Sequence, residues 1–257
     1  ETLISINSLR NFYSEIPITV FTDQFDDRFP TSINIIIASN TNDYGVKIKA
    51  MLETPYQKTL FLDTDTYLTS SLDKEIFNLL DLVDVCASIE VGRSDWTDIL
   101  ISSKAFTEVN TGVMLIASNK NTQDFLQKWL QVYKSRKSID FHDQTSCVLS
   151  LLSSNCRFFP LPNNLNFRFS FPQTVDQNVI ILHGRGKNLD KIANRVNTFS
   201  VLRNWSSFST QCKRFDKPTL RQRLKDRIRK YVPIKLLWMI RKRNKHYFQT
   251  SAKRFGE

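Results

Sequence analysis

Cysteine, glycine and histidine are scarce in this chain, at four, six and three of 257 residues. A disulfide-stapled scaffold needs far more cysteine, and a collagen-like or low-complexity chain far more than the 6 glycines and 8 prolines present. Cys86, Cys147, Cys156 and Cys212 form neither a CxxC pair nor a Cys/His ligand spacing, and each sits among apolar or small residues, so they read as buried free thiols. No apolar run approaches the ~20 residues that cross a bilayer, and the longest candidate, 234–240, contains Lys235. With no secretory segment in view, the expected location is the cytoplasm.

What is present, 41% hydrophobic and 24% charged residues, is the composition of a soluble globular protein with one core and an appendage. The net charge of +11 suggests nucleic acid until it is mapped along the chain. Residues 213–257 carry 16 Lys and Arg against three acids, so residues 1–212 have a net charge of −2. The chain therefore divides into a near-neutral domain, 1–212, and a basic tail, 213–257, and a basic groove across the domain is excluded.

Leu3, Ile6, Leu9 and Phe12 have helical spacing, stopped by Pro17. Apolar, β-branched runs predict strands at 18–21, 33–37, 59–62, 83–89, 112–117, 157–161 and 179–182, and helices are expected at 45–53, 121–134 and 143–152. Strands alternating with helices predict an α/β sheet, mostly parallel, with ligands beyond the carboxyl ends of its strands.

Asp63-Thr64-Asp65 lies at such an end, directly after Thr59-Leu60-Phe61-Leu62. Two carboxylates one residue apart can face one hard cation, and Mg²⁺ or Mn²⁺ held this way keeps sites for phosphate oxygens. An acidic turn without a metal also fits the triplet. His183 ends the apolar run 179–182, which places it at an exposed strand terminus, as a ligand or as a hydrogen-bonded loop residue. Asn110-Thr111-Gly112 opens another apolar strand. The glycine there admits close approach of a ligand and the Asn110 amide can bond sugar hydroxyls, although a simple turn fits as well. Asp143 is equally a helix N-cap.

Taken in order, Lys47, Tyr56, Lys58, Leu60-Phe61-Leu62-Asp63-Thr64-Asp65-Thr66, Asn110-Thr111-Gly112-Val113, Asp143-Gln144 and His183-Gly184 resemble the motif series of nucleotide-sugar-dependent glycosyltransferases with the GT-A fold. The likeness is to glycosyltransferase family 8, the group of glycogenin and bacterial galactosyltransferases, and it covers about residues 1 to 190. The resemblance implies a Rossmann-like GT-A domain and transfer of a sugar from a nucleoside-diphosphate-sugar donor to a saccharide or lipid-linked acceptor. It implies Mn²⁺ or Mg²⁺ on Asp63, Asp65 and His183, bridging the diphosphate. Donor contacts would come from Lys47, with Lys49 as the competing lysine, and from Thr64, Gly112, Gly184 and Lys187, with Arg185 as an alternative to the last. Asp143, Gln144 and Asn110 would surround the reacting sugar. Relatives also begin with a buried strand ahead of the helix at 3–12, so a first strand is expected before Glu1. The segment Asn166-Phe167-Arg168-Phe169-Ser170-Phe171 and the loop 93–98 with Trp96 could shape the acceptor pocket, although alternating Phe is equally a core pattern.

A nucleotidyltransferase of sugar phosphates shares the architecture, but its Gly-rich, basic loop is not seen. A third reading is a degenerate domain that binds through its tail. There, Pro218 opens a helix with Leu220, Leu224, Ile228 and Tyr231 as a narrow apolar stripe, and Leu236, Leu237, Trp238 and Ile240 lie among cations. That mixture favours an anionic membrane surface at the inner face, and nucleic acid is the less favoured partner.

Overall fold

The computed structural model describes residues 1–38, 43–91, 107–138, 142–208 and 210–214, with the backbone alone at 212–214. The loop 93–98 with Trp96 and the tail from residue 215 onward lie outside the described residues. The first half of the chain runs α1 (Thr2–Arg10), β1 (Ile18–Thr22), β2 (Ile33–Ile37), α2 (Gly45–Leu52), β3 (Lys58–Leu62), β4 (Thr66–Leu68), β5 (Val85–Ile89) and β6 (Val109–Ala117). Then come α3 (Lys120–Arg136), α4 (Gln144–Leu152), β7 (Phe158–Leu161), β8 (Phe167–Arg168), β9 (Gln173–Val175), β10 (Ile181–His183), α5 (Leu189–Val196), β11 (Arg203–Ser206) and β12 (Gln211–Arg214). Lys213 and Arg214, read from sequence as the start of the tail, lie in β12.

The longest apolar strand lies inside. All nine residues of β6 are buried, between β3 and β5 in a sheet of order β3-β6-β5-β7. Met114 and Ile116 face Phe125, Leu126, Trp129 and Tyr133 of α3 and Cys147 and Val148 of α4, while Leu115 and Ala117 face Leu72, Leu80 and Leu161 on the other side. Both faces are covered, so the run reads as continuously apolar. Burial of each large side chain contributes about 1.5–3 kcal/mol. Beta6 runs antiparallel to both β3 and β5, and β5 runs parallel to β7. Three strands thus share one direction and β6 opposes them, so the sheet is mixed: two of its three neighbouring pairs are antiparallel.

Helix α5 was not anticipated, although Leu189, Ile192, Ala193 and Val196 carry its spacing; they pack on Phe167, Phe169, Val179, Leu182 and Trp205. Arg203, fully buried, closes its C-terminus by donating to the carbonyls of Val196 at 2.6 Å, Val201 at 3.1 Å and Gln177 at 2.9 Å. Cys86, Cys147 and Cys156 are free thiols, and among the described residues no helix is long and apolar enough to cross a membrane.

A second buried charge joins sheet to helix. Asp84 accepts from the Arg157 backbone N–H at 2.8 Å, from its guanidinium at 2.8 and 3.2 Å, and from Asn119 at 2.9 Å and Asn121 at 3.3 Å, at the start of α3. Burial alone would raise its pKa, but the hydrogen bonds from Arg157 outweigh it and hold the carboxyl at about 2.

The sheets also leave edges open. Beta1 pairs only with β2 and β3 only with β6 among the described residues, and both line one cavity of about 1380 Å³. The Asp63 N–H donates to Gly112 C=O at 2.8 Å, so by strand alternation Thr59 and Phe61 point their N–H at β6 while Leu60 and Leu62 point theirs into the cavity.

Two predictions follow from this architecture. In hydrogen-exchange measurements the Leu60 and Leu62 amides exchange at least ~10-fold faster than Thr59 and Phe61 on the same strand; equal protection would mean that the edge is covered. Asp84→Asn lowers stability by about 2 kcal/mol at neutral pH, a fall in Tm of roughly 4–8 °C. Because the folded pKa lies below the unfolded value, that difference is full above pH ~4 and shrinks as pH falls toward ~2; a gap that persists in acid would refute this account.

Candidate active site

The carboxylate pair and the histidine meet through sheet register. Thr66 of β4 pairs with His183 of β10, and the Gly184 N–H donates to Asp65 C=O at 3.0 Å. One ligand atom from each of Asp63, Asp65 and His183 lies within 4.8 Å of the others. His183 Nε2 is 3.4 Å from Asp65 Oδ1 and 3.9 Å from Asp63 Oδ2. Sequence reading placed His183 at an exposed strand terminus. It is instead buried, 6% exposed, with its ring against the Gly112 backbone. A Cβ on residue 112 would lie 2.0 Å from His183 Cε1.

Gly112 reaches that position through an irregularity in β6. Ala87 and Ser88 are adjacent on β5, whereas their partners Met114 and Asn110 lie four apart on β6, with a register shift between them. The extra residues 111–113 swing toward the end of β3. Thr111 meets Lys47, which donates to its Oγ1 at 2.8 Å, and itself donates to Asp143 Oδ2 at 2.8 Å. Lys47 Nζ also stands 3.1 Å from Asp143 and 3.5 Å from Asp63. Of the two candidate lysines, then, Lys47 enters the site and Lys49 is exposed. Burial opposes charge on Lys47, but Asp143 and Asp63 outweigh it and raise its pKa. Burial raises the Asp63 pKa, with Lys47 and His183 working against it and the charges of Asp143 and Asp65 adding to it. For Asp65, burial is outweighed by the adjacent His183 ring, and the pKa falls.

Asp143 occupies the N-cap position of α4 but makes no side-chain cap hydrogen bond. Its carboxylate is turned to Lys47 and Thr111, and its carbonyl accepts from Trp129 Nε1 at 3.0 Å. Gln144 donates through Nε2 to Glu90 Oε2 at 2.9 Å, which leaves its Oε1 as the amide end available to a ligand in the cavity. The same Glu90 oxygen accepts from Asn110 Nδ2 and, at 2.9 Å, from Arg168.

Glu90 is the residue sequence reasoning missed, yet it carries the signal used for Asp63: an acid directly after an apolar strand, here β5. Asn110, expected to offer its amide to a sugar, has both ends engaged by protein, since its Oδ1 accepts from the Gly112 N–H at 3.1 Å and from Asn166 at 2.8 Å. Phe167 and Phe169 are core residues, whereas Arg168 and Phe171 line the cavity. Thr64 lines it too. Gly184, at φ 135, reaches Asp65 through its backbone, and Arg185 lines the cavity, whereas the exposed Lys187 is not among the lining residues.

Gly112→Ala forces the His183 ring out, because β6 is buried on both faces and cannot retreat. We expect the His183 imidazole signals in NMR to shift, with far-UV circular dichroism unchanged; unshifted signals would show that the ring keeps its place.

No protein-family model and no curated protein matches this chain. Solved structures do. The chain is similar to LgtC in an active-site mutant, with TM-score 0.52, 14% identity, and 72% of this chain and 82% of that one covered. It is similar to the galactosyltransferase LgtC with donor and acceptor sugar analogues, with TM-score 0.50, 14% identity, and 71% and 82% covered. A third likeness is to the glycosyltransferase GlyE of Streptococcus pneumoniae TIGR4, with TM-score 0.51, 18% identity, and 78% of this chain and 54% of that one covered. At such identities the likeness speaks for architecture, and the architecture is the GT-A fold of the glycosyltransferases.

Proposed function

We propose that the protein is a metal-dependent glycosyltransferase, moving a sugar from a nucleoside-diphosphate-sugar donor to a saccharide or lipid-linked acceptor. The observation that carries the reading is the convergence of Asp63, Asp65 and His183 beside a large cavity on a GT-A fold. Two carboxylates and one imidazole suit Mn²⁺, or Mg²⁺, and leave coordination sites for phosphate oxygens. The raised pKa of Asp63 supports this fit, because a carboxyl held against its charged form is relieved by a cation. When bound, the cation supplies neutralisation of the charge that builds on the departing diphosphate.

The remaining roles belong to side chains. Lys47 holds Asp63 and Asp143 in place and presents a buried cation toward the diphosphate. Asp143 and Gln144 face the cavity from the start of α4 and would flank the donor sugar. Gln144 offers Oε1, an acceptor suited to an oxocarbenium-like centre. The structural neighbours, an active-site mutant of LgtC and LgtC with donor and acceptor sugar analogues, support a sugar-transfer reading of this cavity. Arg185, which lines the cavity, would reach the diphosphate from the loop after β10.

We assign transfer to the compact unit that ends with β12 at Arg214. Residues 215–257 would bring the enzyme to an anionic membrane surface, where lipid-linked acceptors reside.

The test is turnover and binding of a panel of nucleotide sugars with and without Mn²⁺. Metal-dependent hydrolysis or transfer from one donor is expected, and Asp65→Ala should reduce it by 10² or more. Binding of no donor, or turnover indifferent to both metal and Asp65→Ala, would sink the proposal.

A further inference from the structure

Four polar groups behind His183 form a chain whose hydrogen-bond directions can be deduced one after another. A backbone N–H only donates, so the Asn110 atom 3.1 Å from Gly112 N is its oxygen. The Asn110 amide nitrogen is then the end that meets the Glu90 carboxylate, which accepts. The Asn166 atom 2.8 Å from Asn110 Oδ1 is in turn the NH₂ group. That leaves the Asn166 oxygen against His183 Nδ1 at 2.7 Å, and an oxygen there requires a proton on Nδ1. In the neutral ring Nε2 then carries only its lone pair, directed at Asp65 Oδ1 at 3.4 Å.

This direction matters because the opposite tautomer is available. A free histidine side chain favours the proton on Nε2. Placed there, it would donate to Asp65 and occupy two of the three ligand groups with each other. Asn110, Asn166 and His183 are 2%, 1% and 6% exposed, so water does not replace a lost partner. We propose that Asn166, oriented by Asn110, is a positioning residue that holds His183 in the Nδ1–H tautomer and keeps Nε2 open for a divalent cation before any cation arrives. The inference rests on the metal reading of the site for its purpose, but not for its geometry.

The test is ¹⁵N NMR of the histidine rings in the metal-free full chain at mildly alkaline pH, with His183 assigned by the signals lost in His183→Gln. Wild type should show the Nδ1–H pattern, and Asn166→Asp, which keeps an accepting oxygen, should preserve it. Asn166→Leu should move the proton to Nε2 and weaken Mn²⁺ binding, read by electron paramagnetic resonance of free Mn²⁺, by 10- to 100-fold. An Nε2–H pattern in wild type overturns the proposal without recourse to any variant, as does an unchanged tautomer in Asn166→Leu. Should wild type show the Nδ1–H pattern and bind no Mn²⁺, the positioning by Asn166 stands and the metal-dependent reading falls.

Discussion

Residue 112 has no side chain, and the candidate site is assembled around that absence. The His183 ring occupies the space a Cβ would take, the Gly112 carbonyl accepts from the Asp63 N–H, and the Gly112 N–H donates to Asn110. One residue thus touches a member of the candidate metal group, positions another and orients the Asn110 amide, which reaches the first through Asn166. It does so from the middle of a strand buried on both faces, which makes its position non-negotiable. The register shift opposite Ala87 and Ser88 leaves 111–113 without partners on β5, while Val113 keeps its pairing with Leu62 of β3.

The cavity is lined by charges of both signs: Asp43, Asp63, Asp65, Glu90 and Asp143, with Lys47, Lys58, Arg168 and Arg185 set among them. Lys47 serves two carboxylates at once, and Asp63 still has its pKa raised. Burying charge costs several kcal/mol per ion unless partners compensate. The partners here are incomplete at the His183 end, where two carboxylates face a nitrogen lone pair. A divalent cation at that end, as the proposed function has it, would complete those partners.

Much of this was legible in sequence, for a common reason: apolar strands announce their own ends. The runs before Asp63 and His183, and the continuous run of β6, identified both the sheet and the residues at its margin. What could not be read depended on which strand lay beside which. Lys47 and Lys49 are two positions apart, and only the crossing of α2 over Thr111 separates them. Gly112 signalled close approach, but the approaching group is a histidine 71 positions further on rather than a ligand. Asp143 could have been an ordinary cap; its side chain makes no such bond because Lys47 and Thr111 hold it. Glu90 met the criterion applied to Asp63 but has no second acid beside it. Asn166 was hidden among phenylalanines whose alternation is mostly core.

Strand alternation on β6 sets the wiring of the site. Successive side chains point to opposite faces, so Asn110 and Thr111, although adjacent, serve different partners. Thr111 joins Lys47 in holding Asp143, and Lys47 extends that branch to Asp63. Asn110 joins Glu90, which holds Gln144, and Asn166 extends that branch to His183. The first two positions of α4's entry, Asp143 and Gln144, are therefore each connected to a different ligand of the candidate metal group, one through Lys47 and its 3.5 Å ion pair with Asp63, the other through a chain of hydrogen bonds. Buried networks of this kind are stiff because every member that rotates strands its neighbours without a partner. The groups expected beside the donor sugar and the groups expected to hold the cation consequently share one frame. Displacement of either set moves the other, which is the property required of a site where bond cleavage at the sugar and charge neutralisation at the diphosphate occur together.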